Sequence, residues 1–135
     1  VADHFLDASV VLMALGEAGP DRDGCRAFMA DAARRGDGLH MSLEAVQEVV
    51  HHRMRRGFAS EAVNDARALL AAVHTHDFDA NVLATALDLI DTGTAQGRDA
   101  VHAATALRAG FSEIVSLERD VDGIPGLTRV DPRAS

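Results

Sequence analysis

Lysine is missing from this chain: all 13 of its basic residues are arginine. That absence excludes a P-loop, which needs Gly-Lys-Ser/Thr, a phosphorylated receiver domain, which needs a lysine beside its acidic pocket, and any Schiff-base chemistry. Cysteine is nearly missing too. Cys25 stands alone, so there is no internal disulfide, and no catalytic Cys-His signature surrounds it. An inert thiol in a reducing, cytoplasmic setting is expected. Tryptophan and tyrosine are absent and only 5 phenylalanines remain, so the core must be built from Ala, Val, Leu and Met, as suits helices packed on a small sheet. No apolar run approaches the roughly 18 residues of a membrane span, and no basic segment precedes the first apolar stretch, which Asp3 and Asp7 interrupt. The reading is a soluble protein with no membrane partner.

What is present starts with length: 135 residues suit a single domain, spanning 1–135, with a core that needs no staples. The net charge of −8 argues against a nucleic-acid partner, since phosphate binding rests on basic surface. Distribution qualifies the sum. Arg34 and Arg35 adjoin, as do Arg53, Arg55 and Arg56, and arginine binds phosphate in a planar, two-pronged way. The same clusters also read as solvated helix faces.

Along the chain, short strands alternate with helices. Strands are expected at about 3–6, 39–41, 74–76, 114–116 and 127–130. Helices are expected at about 8–16, 22–35, 43–56, 60–73, from Asp77 or Asp79 to before Gly93, and from Gly97 to before Gly110, with Ser42 capping the third. Leu43, Val46, Val50 and Met54 form that helix's core stripe; Val63, Ala66, Leu69, Leu70 and Val73 form the next, and Val82, Leu83, Ala86, Leu89 and Ile90 the one after. The alternation predicts an α/β domain: a short parallel sheet of about five strands flanked by helices.

Acidic residues recur where strands hand over to helices. Asp7 follows Phe5-Leu6 at such a junction, the place where open parallel sheets bind ligands, although a plain helix cap is the commoner role of a lone Asp there. Glu44 and Glu48 share a flank of the third helix, Asp99 lies in the first turn of the sixth, and Glu118 and Asp120 follow the fourth strand. Grouped carboxylates raise one another's cost of ionising, and a divalent ion removes that cost. Oxygen ligands select Mg²⁺ or Mn²⁺. His74 and His76 could also ligate a metal, but a strand puts alternate residues on one face in any case.

Four segments together resemble a known family. Leu6-Asp7-Ala8-Ser9, Val46-Gln47-Glu48-Val49-Val50-His51, Arg98-Asp99-Ala100-Val101-His102-Ala103-Ala104 and Val115-Ser116-Leu117-Glu118-Arg119-Asp120 are similar, in order and spacing, to the four acidic motifs of PIN-domain ribonucleases, in particular VapC toxins. The resemblance implies the three-layer PIN-like fold. It implies Asp7, Glu48, Asp99 and Glu118 as catalytic metal ligands, Asp120 as a further ligand, and Ser9 as a supporting hydroxyl. Glu48 is chosen over Glu44 by its match to the family's Gln-Glu pair. One departure stands out. The family's fourth motif reads Asp-Arg-Asp-Phe, and this chain has Glu118-Arg119-Asp120-Val121.

The function so implied is Mg²⁺-dependent endonucleolytic hydrolysis of RNA, with Mn²⁺ able to substitute, by a homodimeric toxin held in check by a VapB-like antitoxin. Two rivals differ in class. Haloacid-dehalogenase-like phosphatases want a second Asp where Ser9 stands. An inactive PIN-like module that only binds its antitoxin is compatible with the Glu118 departure.

Overall fold

The computed structural model describes residues 2–134. Its elements run β1 (Asp3–Phe5), α1 (Ala8–Leu15), α2 (Pro20–Arg35), β2 (Gly38–Ser42), α3 (Leu43–Arg55), α4 (Ala59–Ala72), β3 (His74–His76), α5 (Ala80–Asp91), α6 (Gly97–Arg108), β4 (Glu113–Val115) and β5 (Thr128–Val130). The expected alternation is present, with ends shifted by a residue or two. Pro20, two residues ahead of the expected start, opens α2, where its fixed φ and missing N–H are no handicap.

All strand pairs are parallel. The order β1-β2-β3 forms one sheet and β4-β5 a second, and a single bridge from Leu6 to Val115 joins them into one five-strand surface. The strands are short, so consecutive residues decide the layering. Leu6 and Val115 pack into a core with α1, α3 and α4, whereas their neighbours Phe5 and Ile114 pack into a second core with α5 and α6. Helices therefore cover both faces, giving three layers. Cys25 is fully buried in the first core, and burial pushes its thiol up from the ordinary range.

The helix stripes differ from expectation in their edges. Helix α3 buries Ala45, Val46 and Val49 and leaves Leu43 and Met54 exposed at its ends. Val63 and Leu70 of α4, and Leu83 and Ile90 of α5, also face solvent, and the narrower faces Ala62-Ala66-Leu69 and Val82-Ala86-Leu89 are the ones buried. Ser42 caps α3 as expected, its Oγ accepting the Ala45 N–H at 3.0 Å. Asp79 does the same for α5 through Val82.

Candidate active site

Asp7 leaves β1 in an extended conformation and stands at the N-cap of α1, yet its side chain makes no capping hydrogen bond. The carboxylate is 4% exposed, and its Oδ2 accepts the hydroxyls of Ser9 at 2.9 Å and Ser116 at 2.8 Å. Those hydroxyls accept in turn from the loop after β4: Leu117 N–H donates to Ser9 Oγ and Glu118 N–H to Ser116 Oγ. The backbone adds a bond from Asp7 N–H to the Val115 carbonyl at 2.9 Å. Asp7 is thus a fixed, buried carboxyl tying two strand exits together, which is a different job from a cap.

Glu48 comes from α3, one layer away, and Asp99 from the first turn of α6 in the opposite layer. Both are half-buried. Glu48 Oε2 accepts from His102 Nε2 at 3.2 Å and Oε1 pairs with the Arg98 guanidinium at 3.1 Å. The His102 hydrogen bond, with Arg98 behind it, lowers the Glu48 pKa against the opposing effect of burial. Asp99 goes the other way. Burial raises its pKa first, and the charges of Asp7, Asp120 and Glu118 add to the rise. A carboxylate pushed up by three acidic neighbours marks a site of concentrated negative charge.

Asp7, Ser9, Glu48, Asp99, Glu118 and Asp120 line one cavity of about 510 Å³, together with Arg98 and the backbone at Gln96 and Gly97. Every residue expected at the site is brought to it. Glu118 and Asp120 lie at its exposed rim, Glu118 in the loop and Asp120 in a 3-10 turn over Arg119–Val121. Glu44 is not among the lining; it faces an adjoining cavity of about 300 Å³ with Gln47, His51 and Val101. Glu48 and Arg98 stand between the two cavities and line both, whereas Glu44 lines only the second.

The donor set suits a divalent ion. Asp7, Glu48 and His102 each place a ligand atom within 4.8 Å of the other two, and Asp99 lines the same cavity. Three contributors had no role in the sequence reading although the quoted segments contained them: Arg98, His102 and Ser116. The signal for His102 was its place one helical turn after Asp99, on the same face. Among surface arginines, Arg34, Arg35 and Arg53 are engaged by Asp31, Asp37 and Asp65 rather than presented as a row.

Known proteins resemble this chain over nearly its whole length. Residues 4–127 match the PIN domain family. Ribonuclease VapC7 of Mycobacterium tuberculosis is 31% identical over 134 residues, which span 96% of this chain and 92% of that protein. VapBC2 from Rickettsia felis, solved bound to a DNA fragment from its promoter, superposes with a TM-score of 0.75 at 15% identity, covering 95% of this chain and 97% of that one. VapC20 of Mycobacterium tuberculosis, a Sarcin-Ricin loop cleaving toxin, gives 0.73 at 16%, covering 90% and 92%. At those identities the solved structures bear on the fold alone. The family match across nearly the whole chain, with the VapC relative behind it, means that this chain belongs to the PIN-domain family, among its VapC-type members.

Proposed function

We propose that this protein is a metal-dependent endoribonuclease toxin of a type II toxin–antitoxin pair. The observation that carries the reading is the acidic cavity itself: Asp7, Glu48 and Asp99 line it from three different elements, with Asp99 raised in pKa by burial and then by its acidic neighbours. The 31% identity to a VapC ribonuclease supports RNA as the substrate, and the VapBC complexes among the structural relatives support a VapB-like antitoxin. A second copy of the chain is the other proposed partner.

In this reading Asp7, Glu48 and Asp99 hold Mg²⁺ or Mn²⁺, with Glu118 and Asp120 assisting from the rim. When bound, the ion supplies a water of lowered pKa and charge stabilisation for the departing oxygen. The residues of the chain supply the rest. Ser9 and Ser116 hold the Asp7 carboxyl in place, and Ser116 also holds the Glu118 backbone beside it. Fixed geometry of this kind is worth much in rate, since misplacing a group by ~1 Å can lower it on the order of 10²-fold. Arg98 on Glu48 illustrates how an antitoxin could act: a guanidinium neutralises a carboxylate here without any metal.

A catalytically weak antitoxin-binding module is the alternative, favoured only by Glu118, whose extra methylene stands where the family has Asp and whose side chain is exposed. One experiment separates the two. Antitoxin-free protein should cleave structured RNA with Mg²⁺ or Mn²⁺ and stop in EDTA. Glu48→Gln should lower the rate on the order of 10²-fold, while Glu44→Gln, in the neighbouring cavity, changes it little. Cleavage undiminished by EDTA would remove the metal, and no cleavage at all would favour the binding module.

A further inference from the structure

His102 is a buried histidine within a run of alanines on α6, and both of its ring nitrogens are engaged. Nδ1 lies 3.0 Å from Ser42 Oγ and Nε2 lies 3.2 Å from Glu48 Oε2. Ser42 already accepts the Ala45 N–H as the cap of α3. Its hydroxyl still has a proton to give. A carboxylate can only accept, so in the neutral ring the proton sits on Nε2, directed at Glu48, and Ser42 donates to Nδ1. The result is a closed chain in which the first turn of α3 fixes Ser42, Ser42 fixes the His102 tautomer, and His102 fixes Glu48 further along the same helix.

The two oxygens of Glu48 are consequently unlike. Oε2 is held by a side chain 2% exposed, whereas Oε1 is held by Arg98, whose side chain is 71% exposed. An exposed ion pair contributes little and exchanges readily, while a hydrogen bond inside the protein is shielded from water. We propose that His102 is a positioning residue of the acidic site: it holds Glu48 through Oε2 so that Oε1 is presented to the divalent ion, and Arg98 is the placeholder that leaves Oε1 when the ion arrives. Although His102 lies near enough to Asp7 and Glu48 to be a third ligand, Ser42 and Glu48 occupy both its ring nitrogens, so it acts through Glu48 and does not itself bind the ion. The inference rests on the metal reading of the preceding subsection.

Direct Mn²⁺ titration of the full, antitoxin-free chain by electron paramagnetic resonance tests it without reference to activity. His102→Leu, which keeps bulk and removes the donor, should weaken Mn²⁺ binding roughly tenfold or more, as loss of a ligand-orienting hydrogen bond does elsewhere. His102→Gln, which can still donate to Glu48, should recover most of that loss. Arg98→Gln alters an exposed side chain, so it remains informative if His102→Leu does not fold; removing the placeholder should tighten Mn²⁺ binding about two- to fivefold. Pulsed spectra of the wild type should show no nitrogen at ligand distance from Mn²⁺. A directly coordinated nitrogen that vanishes in His102→Gln would overturn the positioning role, as would equal affinities across the wild type and all three variants. If the wild type binds no Mn²⁺, the metal reading falls and this inference with it.

Discussion

Burial, and then three neighbouring acids, work against the ionisation of Asp99. Its folded pKa is raised, so the folded, metal-free protein resists the ionisation that the unfolded chain accepts, and stability is lost as pH rises through the carboxylate range. Asp99→Asn should therefore raise the melting temperature in EDTA at neutral pH by a few degrees while abolishing cleavage. Calorimetry at pH 7 and below the carboxylate range checks the sign, because the gain should shrink once the wild-type carboxyl is protonated. At the rim, Glu118→Ala should lower activity less than Asp7→Ala, since the Glu118 backbone, not its side chain, is what Ser116 holds. An inactive Asp120→Ala beside an unaffected Glu118→Ala would move the fourth ligand to Asp120. Residue by residue, the acids were legible as a set and their roles were not. Asp7 and Ser42 have almost the same backbone, φ −77° and ψ 155° against φ −71° and ψ 150°, yet one side chain caps its helix and the other binds two hydroxyls. The serine that decides this for Asp7 lies more than a hundred residues away, beyond the reach of any local pattern.

Elements were easier to read than their packing. Gly36 closes α2 in the left-handed region and Gly16 closes α1, which is why helix ends could be placed from glycines alone. Three-residue strands give no alternation to count, so neither the split of the sheet nor the partner of each strand was visible. The histidines show what that concealed. Register pairs His40 of β2 with His74 of β3, and His40 Nδ1 lies 2.9 Å from His76 Nε2 while Asp3 Oδ1 meets the other nitrogen of His40 at 3.2 Å. Phe5 and Phe111 pack against the same rings. Burial lowers the His76 pKa first, and the neighbouring His40 and His74 lower it further against the weaker pull of Asp77. With the folded pKa below the ordinary histidine range, the unfolded chain takes up the proton first, so this strand contributes stability above about pH 6.5 that is lost as pH falls below it. His76→Gln should flatten the fall in melting temperature between about pH 7.5 and about pH 5.5. A wild-type midpoint that does not move over that interval would contradict the assignment.

Across the whole molecule, the acidic cavity coincides with the seam between the two cores. Asp7 follows a strand whose last residues point into both, Glu48 belongs to the helix layer of the first core, and Asp99 belongs to α6 of the second. Near the site the Leu6 to Val115 bridge, the Ser116 hydroxyl on Asp7 and the Leu117 N–H on Ser9 cross between the two sheets. A divalent ion held by acids from both sides would act as a clasp across that seam, binding the native arrangement and not the unfolded chain. Linkage then sets the size of the effect: at ~100 times the dissociation constant, binding adds ~2.7 kcal/mol, on the order of 10 °C for a domain of this length. Mn²⁺ should raise the melting temperature by that order, and EDTA should reverse it. General screening of a chain with net charge −8 would also stabilise it, so NaCl at matched ionic strength is the control and should give a much smaller shift. Asp99→Asn should retain the NaCl response and lose most of the Mn²⁺ response, because only the second depends on a ligand from the α6 side. Equal shifts with the two salts, or a full Mn²⁺ shift in Asp99→Asn, would show that the seam is not bridged through this residue.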